Sequence, residues 1–328
     1  MSCIDAFKNI NIVARQNSLS ISPCCIAAVV PTDSIDFKNN QYLVKVRNEM
    51  MSGQLPKACG NCKKAEDAGL TSRRIGSNAW YKDHNLDNYE VELVRMDYWV
   101  GDTCNLACVI CGPHNSSVWK QELGLSKEAK KLSVNQFWKD MDLSKIQFIH
   151  FNGGEPLLSK EHMKLLHAIE HKSRVHLNYN TNATLLPSDE LLNLWKQFRL
   201  VQLDFSIDDI GERFEYQRYP ADWSQVTSNL RWYIDHAPDN CMFNVNTTVG
   251  ILNHSNLEAL NDWLKQNFYT SRFTDPIEHR QQFAVGLFAL ENIEKNWSKV
   301  IFTLDQIDQR RGTNWRKTFP ELVKQSIL

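Results

Sequence analysis

The chain of 328 residues lacks a run long and apolar enough to span a bilayer. The longest charge-free stretch that could pass for a span, between Arg15 and Asp33, is broken by Pro23, Pro31 and several serines, whereas a spanning helix needs about 20 predominantly apolar residues. It also lacks an excess of either charge, with 37 Lys and Arg against 38 Asp and Glu and a formal net charge of −1. Binding a phosphate backbone calls for a basic patch, so the composition argues against a nucleic-acid partner. No signal-peptide pattern opens the sequence and no repeat or low-complexity tract interrupts it. At 42%, hydrophobic residues are too abundant for extended disorder. The expectation is a cytoplasmic chain without membrane association, large enough for about two domains or one sizeable α/β unit.

What the sequence has in unusual measure is cysteine: Cys3, Cys24, Cys25, Cys59, Cys62, Cys104, Cys108, Cys111 and Cys241. The odd count, the crowding into the first third and the missing secretory signal make a disulfide scaffold a poor explanation. Ligation of a metal or cluster explains them better.

Hydrophobic periodicity sets the organisation. Strand-sized apolar runs at Val94–Val100, Gln147–Asn152, Arg174–Asn180, Val201–Ile207 and Met242–Ile251 alternate with helical patterns at Lys160–His171, Ser188–Phe198, Ser224–Asp235 and Asn256–Asn267. A sixth strand is predicted within Glu278–Phe288. Such alternation predicts an α/β fold with a parallel sheet, because parallel strands need crossover connections. Residues 1–90 read differently, with a β-prone piece at Ile21–Val30, helical stretches at Tyr42–Met51 and from Lys63, and a turn at Pro56–Asn61. They have few apolar positions and five cysteines, as expected of a small module stapled by metal. Residues 291–328 are expected to form a helical extension packed on the sheet.

Two motifs carry the chemistry. Cys104-x-x-x-Cys108-x-x-Cys111 follows the first predicted strand, and Gly153-Gly154-Glu155-Pro156 follows the second. Three thiolates hold three irons of a 4Fe-4S cube and leave the fourth iron open. Zinc held by the same thiolates and a histidine such as His114 is the alternative. With these motifs the chain resembles the radical S-adenosylmethionine (SAM) superfamily. The resemblance implies a partial (β/α)6 TIM-like barrel over residues 91–290, with Cys104, Cys108 and Cys111 on the cluster and SAM chelating the open iron. It further implies that the turn at Gly153, Gly154 and Glu155 receives the SAM amino group. Asn180 in YNTNATLL, Ser206 and Asp208 in DFSIDD, and Arg218 are similarly placed toward SAM. Ile110 stands where the family usually has an aromatic residue beside the adenine, and Ala183 stands for the glycine of a TNG-like turn. Asp208 as a plain helix cap and Arg218 as a surface charge are the competing readings.

The earlier cysteines resemble a SPASM/Twitch auxiliary-cluster module placed ahead of the barrel. Cys3, Cys59 and Cys62 with either Cys24 or Cys25 complete four ligands for a second 4Fe-4S cluster, or for zinc; Cys24 is taken as the ligand. Cys241, at a strand start, reads as a core thiol. The resemblance implies reductive cleavage of SAM to a 5'-deoxyadenosyl radical, hydrogen abstraction from substrate, and an electron donor such as flavodoxin or ferredoxin. The expected outcome is a redox-active, oxidoreductase-type modification of a peptide. A small-molecule dehydrogenase or rearrangement enzyme comes next, and a non-catalytic interaction protein is the competing class.

Overall fold

The computed structural model describes residues 2–15, 18–125, 137–268, 280–283 and 286–325. Its strands are β1 (Asn9–Arg15), β2 (Ser18–Ser22), β3 (Val30–Pro31), β4 (Arg95–Trp99), β5 (Phe148–Asn152), β6 (His176–Thr181), β7 (Leu200–Ser206), β8 (Cys241–Val249) and β9 (Arg280–Phe283). The helices are α1 (Asp5–Lys8), α2 (Gln41–Met51), α3 (Gly60–Asp67), α4 (Arg73–Asp83), α5 (Ser117–Glu122), α6 (Lys160–Ala168) and α7 (Asp189–Trp195). They continue with α8 (Gly211–Gln217), α9 (Trp223–His236), α10 (Leu257–Phe268), α11 (Asn292–Lys295), α12 (Trp297–Arg311), α13 (Trp315–Thr318) and α14 (Pro320–Gln325). The strands form one sheet in the order β3-β2-β1-β4-β5-β6-β7-β8-β9. The fold is α/β with a mostly parallel sheet, of the partial TIM-like kind expected from the strand and helix alternation. Of the sixth predicted strand, residues 280–283 form β9, and 278, 279, 284 and 285 lie outside the described residues.

By contacts the chain divides into two compact units. The first is Met1–Gly101, Glu128–Asn178 and Gln197–Leu200; the second is Asp102–Lys127, Tyr179–Lys196 and Val201–Leu328. In the first unit β1 pairs in parallel with β4, Asn11 opposite Asp97, and β4 pairs in parallel with β5, Asp97 opposite His150. Alternation sorts these strands by face. Ile10, Ile12, Met96, Ile149 and Phe151 are fully buried on one side, while Asn9, Asn11, Asp97 and His150 fall on the other. The β-prone piece at Ile21–Val30 is only partly strand: residues 23–29 turn between β2 and β3, so Cys24 and Cys25 sit in a turn. Pro23 and the polar run before it favour that turn over a continuous strand.

His162 on α6 is buried with its ring edge-on to Phe151. Burial, partly offset by the Ser159 carbonyl, holds its pKa down at about 4. The unfolded chain takes up this proton near pH 6.5 and the native chain only near 4. Stability is therefore complete above pH 6.5 and falls by about 3 kcal/mol at most as the pH drops through that window. Urea denaturation at pH 7 and pH 4.5 should show the loss, and His162→Phe should flatten the profile across it. An unchanged profile in the variant would refute the assignment.

In the second unit β7 and β8 pair in parallel, Ser206 opposite Asn246. Val201, Leu203, Phe243 and Cys241 are fully buried along one face. The C-terminal extension, expected on the sheet, builds its main core elsewhere. Val300, Leu304, Trp315, Phe319 and Leu322 join Ala107 and Val109, from the loop that carries the three spaced cysteines, in one apolar cluster. That loop has small apolar residues between its cysteines, and they need a cover. No helix among the described residues is long and apolar enough to cross a membrane.

Candidate functional site

In the second unit, residues 102–116 form an irregular loop whose backbone is held by side chains. Ser117 Oγ donates to the Cys104 carbonyl at 2.9 Å and accepts from the Cys104 N–H at 3.1 Å. Ser116 Oγ donates to the Leu106 carbonyl and also caps α5, accepting from Trp119 N–H at 3.1 Å. Trp119 Nε1 donates to the Cys108 carbonyl at 2.8 Å. From the other side the N–H groups of Ala107 and Val109 donate to the carbonyls of Tyr219 and Gln217 at 2.6 and 2.8 Å.

The loop gathers its thiols beside one buried cation. Burial pushes Cys108 up to about 12, the nearby Arg218 charge opposes this, and the thiols of Cys111 and Cys104 add to it. Burial also raises Cys111. Arg218 lies 2.8 Å from an Asp208 carboxylate oxygen, and burial works against its charge, but Asp208 and Cys108 outweigh it and hold its pKa up. The other Asp208 oxygen accepts from Thr248 N–H at 2.8 Å. Asp208 therefore makes a buried ion pair, and Arg218, with 7% exposure, is no surface charge. Its Nε has no partner among the described residues. No three His, Cys, Asp or Glu side chains among the described residues are grouped to hold a single metal ion. A cube takes one thiolate per iron, so three thiols spread along a loop beside a buried cation fit it chemically.

Further predicted residues lie in the same unit. Ile110 packs against the C-terminal cluster. Asn246 Nδ2 donates to Asn180 Oδ1 at 3.3 Å, and Ser206 ends β7 opposite Asn246. Three polar residues that sequence reasoning passed over tie the TNAT turn to the cysteine loop. Asn182 Nδ2 donates to Asn105 Oδ1 at 3.0 Å, and Asn105 Nδ2 donates to Thr184 Oγ1 at 2.7 Å. Ala183 between them has φ +60°, which explains why a glycine is favoured at this corner. Asn105 stands next to Cys104, which was the available hint.

In the first unit, the strand-end turn after β5 has its own geometry. Gly153 has φ +118°, and a Cβ there would lie 2.5 Å from Trp99 Cδ1 and 2.7 Å from the Gly101 carbonyl oxygen. Gly154 N–H donates to that same carbonyl at 2.8 Å. Glu155, 1% exposed, accepts from Leu157 N–H at 3.1 Å through its carboxylate, closing the turn that follows.

The same unit holds the early cysteines. Cys3, Cys24, Cys59 and Cys62 line one pocket, together with Asp5 and Arg73; Cys25 is not in its lining. Burial, then the Asp5 carboxylate, pushes Cys3 and Cys24 far up, and burial with the neighbouring Cys62 raises Cys59 to about 11. Cys25 is raised to about 12 by burial and then by Asp97. Arg73 spans two buried carboxylates, with Nε 3.3 Å from Asp5 and Nη2 3.2 Å from Asp97. Asp5 also accepts from Ser77 Oγ at 2.8 Å and Tyr81 O–H at 3.0 Å. Burial opposes the Asp97 charge, yet Arg73 and His150 bring its pKa below the usual carboxylate range. Four thiols, the guanidiniums of Arg73 and Arg74 and a fully partnered carboxylate line the pocket, and its thiols suit an iron-sulfur or zinc centre in donor type.

Comparison with known proteins adds a family. The family model described as the radical SAM superfamily matches residues 99–264. A curated relative, the GTP 3',8-cyclase of Clostridium botulinum (strain Hall), is 25% identical over 221 residues, covering 66% of this chain and 67% of its own. The GTP 3',8-cyclase of Desulforamulus reducens is 28% identical over 130 residues, 38% of each chain. Among solved structures, anSMEcpe with bound AdoMet aligns at TM-score 0.43 and 15% identity, over 67% of this chain and 62% of that one. SuiB of Streptococcus suis bound to S-adenosylmethionine aligns at TM-score 0.40 and 13% identity, over 95% and 73%. The chain thus spans about three fifths of the first of these solved chains.

Proposed function

The chain belongs to the radical SAM superfamily, and from that premise we propose that Cys104, Cys108 and Cys111 hold its 4Fe-4S cluster while Gly153, Gly154, Ser206, Asp208 and Arg218 receive SAM. When bound and reduced, the cluster supplies the electron that splits SAM into methionine and a 5'-deoxyadenosyl radical able to abstract hydrogen from substrate. The observation that carries the reading is Cys108, on a loop held from both sides, buried beside the ion pair of Arg218 and Asp208. Arg218 offers a planar fork whose Nε still lacks a partner, suited to a carboxylate. Gly153 sets the backbone of the strand-end turn offered to SAM, because Trp99 and the Gly101 carbonyl leave no room there for a Cβ.

The four-cysteine pocket is assigned a second 4Fe-4S cluster, with Cys24 rather than Cys25 as the fourth ligand. Four thiolates leave no open iron, so its part is to accept or relay electrons, and Arg73 offsets the charge of the thiolates beside it. An electron acceptor within the same chain favours an oxidative outcome. We assign the activity to redox modification of a peptide, with a flavodoxin- or ferredoxin-type donor. The specific observation favouring a second reading, a small-molecule substrate, is that the curated relatives are GTP 3',8-cyclases.

Anaerobic purification followed by iron and sulfide assay, then incubation with SAM and dithionite, tests the first step. Brown protein that forms 5'-deoxyadenosine supports the assignment, and colourless zinc protein without labile sulfide overturns it. Mass spectrometry of products from GTP and from candidate peptides, scored by deuterium transfer into 5'-deoxyadenosine, then separates the two substrate classes.

A further inference from the structure

Residues 269–328 lie beyond the span matched by the family model, yet a side chain from this stretch reaches the cysteine loop. Arg311, the last residue of α12, has a side chain only 2% exposed. Its Nη2 donates to the Ala107 carbonyl at 2.9 Å, and its Nε donates to the Glu122 carboxylate oxygens at 3.2 and 3.0 Å. The guanidinium also lies over two rings, 4.6 Å from the centroid of Trp119 and 4.8 Å from that of Tyr219. Both residues grip the loop themselves, Trp119 through the Cys108 carbonyl and Tyr219 through the Ala107 N–H. Gly312, at φ +66°, ends α12 at this point and fixes where the guanidinium emerges.

We propose that Arg311 is a positioning residue for the loop carrying Cys104, Cys108 and Cys111, so that the C-terminal helices are part of the cluster-holding machinery. The proposal rests on the reading that this loop holds the cluster, but its mechanical part stands apart from it. Arg311 holds the loop by its backbone, at the Ala107 carbonyl. It joins the peptide between Cys104 and Cys108 to Glu122 and to two aromatic rings, and a planar fork is required to make the carbonyl bond, the carboxylate pair and the stacking at once. Lysine at this position keeps the charge and loses the stacking and one of the two attachments.

The test compares Arg311→Ala and Arg311→Lys with Leu230→Ala, which removes buried packing from α9 of the same unit, outside the apolar cluster that covers the loop. In metal-free protein, hydrogen exchange of the amides in residues 104–111 should speed up about tenfold in Arg311→Ala, less in Arg311→Lys, with the amides of β7 and β8 unchanged. Leu230→Ala should lower overall stability without singling out the loop. In anaerobically reconstituted protein, Arg311→Ala should bind less iron and give an altered electron paramagnetic resonance spectrum of the reduced cluster, with Arg311→Lys partly restoring both. Wild-type exchange and spectra in Arg311→Ala, or the same loop-selective change in Leu230→Ala, would overturn the proposal. Wild-type protein that takes up no cluster would count against the proposed function alone, because the exchange comparison still decides what Arg311 does.

Discussion

Cys108→Ala is expected to reduce 5'-deoxyadenosine formation from SAM and dithionite to the level seen without protein. The residue is the middle thiol of the loop, buried beside Arg218, and its carbonyl is already held by Trp119. Alanine preserves the backbone bonds and removes only sulfur, so the fold should survive while one of three iron ligands is lost. On the proposed assignment the cube then lacks one of its three thiolate ligands. The control is Cys62→Ala, in the other compact unit, which should leave some SAM cleavage uncoupled from product. The circular dichroism of both variants should match wild type. If Cys108→Ala cleaves SAM normally, the three-cysteine assignment is wrong.

Gly153→Ala should cost about 3 kcal/mol or more in denaturant unfolding. Two effects add. At φ +118° an L-residue is strained wherever it stands, by about 1–3 kcal/mol, and the new methyl would lie 2.7 Å from the Gly101 carbonyl oxygen. The indole of Trp99, at 2.5 Å, is able to swing aside, but the carbonyl belongs to backbone that also accepts from Gly154 N–H. Combining the substitution with Trp99→Ala should therefore recover only part of the loss. A Gly153→Ala protein within 0.5 kcal/mol of wild type would show that this turn is not under the constraint described.

Strands β4 and β7 were legible because apolar residues recur at alternate positions along them. Val94–Val100 became Arg95–Trp99, and Val201–Ile207 became Leu200–Ser206. The spaced cysteines were legible because their spacing falls within one short loop, where pattern is local. By contrast, β1 was missed. Its Asn-Ile-Asn-Ile-Val run carries asparagines where a core strand would be apolar, and they lie on a polar face beside Asp97. Cys24 and Cys25 looked alike in sequence. Only the turn after β2 separates them, sending Cys24 to the pocket that Cys3, Cys59 and Cys62 line. Arg311, Arg73 and the Asn105, Asn182 and Thr184 set were out of reach for one reason. Their partners lie far along the chain, 204 residues away in the case of Arg311 and Ala107, and local pattern holds no record of such contacts.

The parallel pairing of β1 with β4 bears on how the cysteine pocket comes into being. Asn9 pairs with Arg95, so the first strand has no partner on that edge until more than 90 residues have been made, and contacts of such long range form slowly. Cys24, Cys59 and Cys62 all lie in the segment between these two strands. During synthesis those thiols emerge before Asp97, the β4 carboxylate that holds Arg73 of their pocket, exists. Assembly of the pocket is thus tied to closure of the sheet, and the interval before closure is when the thiols are open to oxygen and to stray metal.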